Sequence, residues 1–271
     1  MKKILNFILV ACLMLSGMMV LTACDKTQTF HVDAENIASS VEKAADGDVI
    51  KLKEDIVLTS QVVINKKLTI DLNGKTISSE QAIWNNDTKS WSLLSIGVGG
   101  DVTITGNGTM QALAEDCYAI DLRAADAKLT IENGTFVGNV HSVYVYQGSL
   151  TVKGGYYSIQ QTYPALEKAY EFVLNCLDLS YGDEVTDSAT LQYWATKLGC
   201  TVEEVNSYAN TASIIVMGGT FEAFNPEHCF AETSAPYITN FCADGYVSVL
   251  GNRAPSGLVT YTVEEAGIQA E

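Results

Sequence analysis

Five segments of this chain can be written beneath one another, and their repetition restricts the fold more than any single motif does. They are Leu68-Thr69-Ile70-Asp71-Leu72-Asn73-Gly74-Lys75-Thr76-Ile77 and Val102-Thr103-Ile104-Thr105-Gly106-Asn107-Gly108-Thr109-Met110, followed by Leu129-Thr130-Ile131-Glu132-Asn133-Gly134-Thr135-Phe136. Leu150-Thr151-Val152-Lys153-Gly154-Gly155-Tyr156-Tyr157 and Ile214-Ile215-Val216-Met217-Gly218-Gly219-Thr220-Phe221 complete the set. Each reads as a strand of period two, a glycine turn and a second short apolar strand. Glycine supplies the positive φ that a sharp corner between two strands requires. From Gly108 to Gly134 is 26 residues and from Gly134 to Gly155 is 21, and such a period signals a solenoid, a propeller or an array.

Each period holds strands and corners without a helical stretch, which selects a coil of parallel strands. A propeller would need antiparallel hairpins with two-residue turns, and few are present. The pattern resembles the right-handed, single-stranded parallel β-helix of the pectate-lyase-like superfamily, over roughly residues 47–264. The right hand follows the strong preference of parallel crossovers. The expected fold class is therefore all-β, with two helical additions. Asp33 is placed to cap a helix over residues 33–46, with Ile37, Val41 and Ala44 on one face, as a lid over the open end of the coil. A helical insertion is expected at about 183–210. There Leu191, Trp194, Ala195 and Leu198 recur at helical spacing, Gly199 stops the run, and Thr201-Val202-Glu203-Glu204 forms a capping box. The Trp194 stripe reads as packing against the coil. The C-terminal stretch from Gly218 to Val263 looks like the terminal rung of such β-helix proteins.

The N-terminus says where the chain works. Lys2 and Lys3 precede an apolar run from Ile4 to Val20, and Leu21-Thr22-Ala23-Cys24 closes it. This order is that of a secretory signal rather than a membrane span. Leu-Thr-Ala-Cys is similar to the bacterial lipobox, which implies cleavage after residue 23, acylation of Cys24, and a lipid-anchored linker over 24–32. The implied location is extracytoplasmic, at a membrane or cell surface. Asp25 resembles an inner-membrane retention signal, meaningful only in a Gram-negative host.

The chain beyond residue 23 holds 14 basic and 32 acidic residues. That surface repels phosphate backbones, which excludes nucleic acid as a partner, and it would accept anionic polysaccharides only with calcium as a bridge. Five cysteines follow Cys24, an odd number that cannot all pair. Cys229 and Cys242 flank one irregular loop and are the most plausible bridge. No zinc-like spacing occurs among the cysteines and His31, His141 and His228, so no metal or cofactor is expected beyond calcium.

Placing aliphatic residues inside stacks Leu94/Ile96, Ile120/Leu122, Val143/Val145 and Leu174/Cys176. Outward positions then form one ladder of Ser95, Asp121, Tyr144 and Asn175 and a second of Gly97, Arg123, Tyr146 and Leu177. Tyrosine rings suit sugar faces, Asp121 and Arg123 suit hydroxyls, and Trp84 and Trp91 lie just upstream. The candidate ligand-binding residues are Asp121, Arg123, Tyr144, Tyr146 and Asn175. The competing account makes them surface ion contacts and cross-strand stabilisers, and a slip of one residue would bury them.

The resemblance implies an enzyme as one alternative, because the superfamily includes polysaccharide lyases and glycosidases. The arginine and acidic clusters of pectate lyases and the paired aspartates of galacturonases are not visible. His141 and Tyr144 beside Arg123 could act as acid and base, and Asp71 and Glu132 are isolated carboxylates. The expected role is a non-catalytic, adhesin-like protein binding a glycan or surface protein, with a carbohydrate-active enzyme and a structural spacer as alternatives.

Overall fold

The computed structural model describes residues 26–83, 91–113, 115–166, 168–169, 172–177, 192–196, 200–208, 211–232 and 238–267. The expected signal segment and Cys24 lie outside the described residues, as do Trp84, Leu191, Leu198 and Gly199. No helix among the described residues is long and apolar enough to cross a membrane.

The chain is strand-rich and its sheets are largely parallel, as the alternating repeats demand. In the larger sheet, β1 (Thr29–Val32), β2 (Val49–Leu52), β5 (Lys67–Asp71) and β8 (Asp101–Thr105) lead to β10 (Tyr118–Ile131) and β12 (His141–Val152). The last two are long enough to serve two rows. Their second halves continue the first row to β17 (Ala212–Val216). Their first halves lie between β4 (Val62–Ile64) with β7 (Ser92–Ile96) on one side and β16 (Leu174–Cys176) on the other. The smaller sheet runs from β3 (Ile56–Leu58) through β6 (Thr76–Ser79), β9 (Thr109–Gln111), β11 (Thr135–Gly138) and β13 (Tyr156–Ile159) to β18 (Thr220–Glu222), all parallel. It ends in antiparallel β20 (Val259–Glu265) and β19 (Tyr246–Arg253). A small hairpin of β14 (Thr162–Tyr163) and β15 (Lys168–Ala169) stands apart.

Equivalent repeat positions are hydrogen-bonded neighbours. Leu68 pairs with Val102, Val102 with Leu129, Leu129 with Leu150, and Leu150 with Ile214. All five side chains are buried in one core, which also takes the inward row of the smaller sheet. That second row, Ile77, Met110, Phe136, Tyr157 and Phe221, stacks in register. Its rings lie nearly parallel, at 5.3 Å between Phe136 and Tyr157 and 4.9 Å between Tyr157 and Phe221. The corners between the sheets are set by glycine. Gly134 has φ +124° and its carbonyl accepts the Tyr156 N–H of the next repeat at 2.8 Å. In the repeat before it, positive φ falls on Gly106 rather than on Gly108.

Two N-terminal expectations change. The 24–32 segment is not all linker, because Thr29–Val32 pairs with β2 and Val32 is fully buried. The expected 33–46 helix is shorter, Ile37–Lys43, although Ile37, Val41 and Ala44 face the core as anticipated. The Asp33 carboxylate makes the bonds of a cap: its Oδ1 accepts the N–H groups of Glu35 at 3.1 Å and Asn36 at 3.2 Å, and its carbonyl accepts the Ile37 N–H at 3.0 Å. Asn36, at φ −120°, leaves the helical range, so the regular helix starts at residue 37. Within the insertion, residues 192–196 and Val202–Tyr208 are helical. Its capping box forms in both directions: Thr201 N–H donates to Glu204 Oε2 at 2.7 Å, and Glu204 N–H donates to Thr201 Oγ1 at 3.2 Å.

Candidate functional site: a covered polar cluster

The inward stack assumed from sequence is the observed one. Leu94 pairs with Ile120, Ile120 with Val143 and Val143 with Leu174, so Ser95, Asp121, Tyr144 and Asn175 do share one outward ladder. The ladder is nevertheless not an open surface. Asp121 and Tyr144 are 0% exposed, Asn175 is 1% and Tyr146 is 0%. What covers them is the helical insertion. Tyr118, Tyr144 and Tyr146 form a second apolar cluster with Val140, Leu177, Trp194, Ala195 and Val205, separate from the main core. Trp194 is thus packing, as its spacing indicates, and Tyr144 and Tyr146 are not sugar platforms. Burial in such a layer removes far more apolar surface from water than a cross-strand contact would.

Arg123 is the half-buried member. A register shift follows Leu122, so Arg123 pairs with Gln147 and not with Tyr146 as the simple ladder would have it. Its guanidinium instead lies over the Tyr146 ring, 4.5 Å from the centroid, a geometry that favours cation–π attraction.

A hydrogen-bond network runs beneath the cover. The Tyr144 hydroxyl donates to Glu232 Oε2, and Asn175 Nδ2 donates to the same oxygen at 3.1 Å. The Glu232 N–H returns a bond to Asn175 Oδ1 at 2.8 Å. Because Oδ1 is thereby fixed, the Asn175 amide points toward His141 Nε2, at 3.4 Å. On the other side of that ring, Nδ1 faces the Phe172 carbonyl at 2.6 Å. A carbonyl only accepts, so Nδ1 carries the proton and Nε2 takes the Asn175 contact. Tyr118 joins through its hydroxyl, 3.4 Å from that of Tyr146, and through its ring, stacked on Tyr144 at 5.5 Å.

Burial, and next the Glu232 charge, hold the Tyr144 phenol well above its ordinary titration range, and burial does the same for Tyr118 and Tyr146. All three are neutral hydroxyls at physiological pH. None is tuned toward the phenolate that a tyrosine base requires. Asp71 and Glu132 form surface ion pairs with Lys51 at 2.6 Å and Lys153 at 2.9 Å.

Tyr118 and Glu232 are members that sequence reading missed. Ala119 and Ile120 both face the core, so the period-two alternation breaks there and puts Tyr118 on the opposite side. The break has no local sequence signature. Glu232 arrives from an irregular segment that adds a bridge beside β16, pairing with Leu177, and no periodicity marks it.

The expected Cys229–Cys242 bridge is absent, and both are free thiols. Cys229 Sγ turns to the carbonyl of Thr239 at 3.3 Å, the residue its own backbone pairs with. Burial pushes the Cys229 thiol up to about 12, and that of Cys242 up to about 11. No group of three or more potential metal ligands occurs among the described residues. A small cavity of about 10 Å³ beside Trp91, Cys117 and Tyr118 has room for one water and none for a sugar ring.

Comparison of the chain with known protein families, with characterised proteins and with solved structures found no match.

Proposed function

We propose that this chain is a bacterial lipoprotein, anchored through Cys24 outside the cytoplasm, whose parallel strands form a right-handed single-stranded β-helix that binds a glycan or a surface protein without catalysis. Support for the β-helix comes from strands one repeat apart pairing in register in two sheets that share a core. The observation that carries the binding role is a row of hydroxyls on the long sheet. Thr69, Thr103, Thr130 and Thr151 are consecutive neighbours across β5, β8, β10 and β12, all half-exposed. Neighbouring strands are about 4.8 Å apart, so this row is flat and regular, and it suits a repeating partner. The tyrosine cluster, by contrast, is already occupied by its own chain.

One observation favours a second reading, a carbohydrate-active enzyme: His141, Tyr144, Glu232 and Asn175 are gathered in a single hydrogen-bonded group. In that reading the insertion must lift to admit substrate.

A glycan-array screen of the soluble domain, with and without calcium, tests both. The expected result is binding that is reduced at least about tenfold by Thr103→Arg/Thr130→Arg, since two guanidinium groups fill the row. Binding unaffected by that double variant would reject the threonine face. Cleavage products from a bound polysaccharide would favour the enzyme, and no binding at all would favour a spacer. The anchor has its own test. Cys24→Ser is expected to move the protein from the membrane to the soluble fraction, because the acyl chains supply the hydrophobic anchoring; continued membrane association would reject acylation at Cys24.

A further inference from the structure

The threonine row has a charged ladder on either side. On β5 the outward positions are Lys67, Thr69 and Asp71, and on β10 and the residue after it they are Lys128, Thr130 and Glu132. Strand pairing joins such positions into three ladders over β2, β5, β8, β10, β12 and β17. The first is Lys67, Asp101, Lys128, Ser149 and Ser213. The middle one is Val49, Thr69, Thr103, Thr130, Thr151 and Ile215. The third is Lys51, Asp71, Thr105, Glu132, Lys153 and Met217. All are exposed or half-exposed. Together they hold four lysines and three carboxylates, whereas the rest of the chain beyond residue 23 holds ten basic and twenty-nine acidic residues. The surplus acid, exposed Asp46 and Asp126 included, lies outside the three ladders. Charges on this face already pair between neighbouring strands: Lys51 with Asp71 at 2.6 Å, Lys153 with Glu132 at 2.9 Å and Lys67 with Asp101 at 3.7 Å.

We propose that this face is an interface between two copies of the chain, packed face to face about a twofold axis that runs along the middle ladder. The proposal rests on the reading of this face as a binding surface for a surface protein, and it names that protein as a second copy. Such an axis keeps each strand level with its counterpart and reverses its direction, so the first ladder of one copy lies over the third of the other. Lys67 then faces Asp71 and Lys128 faces Glu132, each pair formed twice. At the other levels Asp101 faces Thr105, Ser149 faces Lys153 and Ser213 faces Met217, so no like charges are opposed. The middle ladder meets itself, threonine on threonine, with Val49 on Val49 and Ile215 on Ile215 at its ends. Both copies repeat at the same spacing of about 4.8 Å, so a match made at one level is kept at the next.

An axis across the stack would also oppose unlike charges, Asp101 to Lys128 and Asp71 to Lys153, but it sends the two N-termini to opposite ends. The axis along the stack leaves both at the same end, where one membrane can hold both Cys24 lipids. The footprint, about 24 Å by about 13 Å between the outermost rows, belongs with the weak class of specific interfaces. Confinement to one membrane offsets this by raising the effective concentration of the two copies.

The test is run on whole cells expressing the full chain, so that it does not depend on how the chain is held at the membrane. Thr130→Cys puts a thiol on the axis, and copper phenanthroline oxidises two facing thiols to a disulfide-linked dimer. Thr109→Cys, half-exposed on the smaller sheet, is the reference and carries the same native cysteines. The expected dimer yield at Thr130→Cys is at least about fivefold that at Thr109→Cys. Adding Lys67→Glu/Lys128→Glu to the Thr130→Cys chain is expected to lower the yield at least about fivefold, because like charges then meet, and Asp71→Lys/Glu132→Lys is expected to do the same. Co-expression of the two charge variants restores the dimer, since every reversed position then meets an opposite charge. That recovery separates lost pairing from misfolding, and it does not occur for an axis across the stack, where the reversed positions never meet. A yield at Thr130→Cys no greater than at Thr109→Cys, or no recovery on co-expression, would overturn the proposal. A glycan that binds the wild type but not Thr103→Arg/Thr130→Arg, without cross-linked dimers, would keep the face as a binding surface and reject the second copy. Absence of both would reject the face itself.

Discussion

Tyr144→Ala is expected to destabilise the protein by about 3–5 kcal/mol, the range for emptying a buried aromatic site. The side chain is completely buried between Tyr118, His141 and Tyr146, at ring-centroid distances of 5.5, 5.2 and 4.0 Å. Its loss opens a void beneath the helical insertion. It also leaves Glu232 with one donor fewer in a site where the carboxylate holds Asn175. For a chain of this size each kcal/mol moves the midpoint by roughly 2–4 °C, so thermal unfolding should begin at least about 6 °C earlier. Tyr144→Phe separates the two causes. It keeps the ring and removes only the hydroxyl, so a cost of about 1–3 kcal/mol is expected. A Tyr144→Ala protein as stable as wild type by calorimetry would mean that the cluster is not closed in solution, and would return Tyr144 to the list of ligand contacts.

That contrast marks what sequence can say about such a site. Period two assigns each side chain to one side of its strand, and here the assignment holds for Ser95, Asp121, Tyr144 and Asn175. It does not say what covers that side. In an isolated sheet the outward side meets water, and the patch would then have been open. The cover comes from Trp194, Ala195 and Val205, whose helical spacing shows an apolar face but not its destination. Helical amphipathicity is a property of one segment, whereas docking depends on where the chain re-enters the stack.

The N-terminal region shows a different ambiguity. An aspartate before an apolar helical pattern is a good cap in general. Asp33 makes those cap bonds and Asn36 reciprocates, its Oδ1 accepting the Asp33 N–H at 3.0 Å, but Asn36 itself sits at φ −120°, so the regular helix starts only at Ile37. The four residues Thr29–Val32 are too short for alternation to declare a strand, yet pairing with β2 makes them one. Long-range pairing decides elements whose own pattern is weak, while the five repeats, whose pattern is strong, are placed as read.

Gly134→Val tests the corner on which those repeats depend. The backbone there has φ +124°, a conformation that residues with a Cβ rarely adopt, and a Cβ at this position would lie 3.1 Å from the Phe136 ring and 3.2 Å from Leu72 Cδ1. Two costs combine: backbone strain of about 1–3 kcal/mol and overpacking of about 1–3 kcal/mol. Phe136 cannot yield freely, because it is stacked on Tyr157, which is stacked on Phe221, so a displaced ring disturbs three successive repeats. A loss of about 2–6 kcal/mol is therefore expected, read as the shift in the denaturation midpoint at unchanged slope. Gly74→Val is the comparison. Its φ is +72° and nothing lies within 4 Å of its Cβ position, so only the strain applies and the loss should be smaller. Equal losses at the two glycines would show that the aromatic stack relaxes around the new side chain. An unchanged midpoint for Gly134→Val would remove the glycine corner from the account of how one strand row turns into the next.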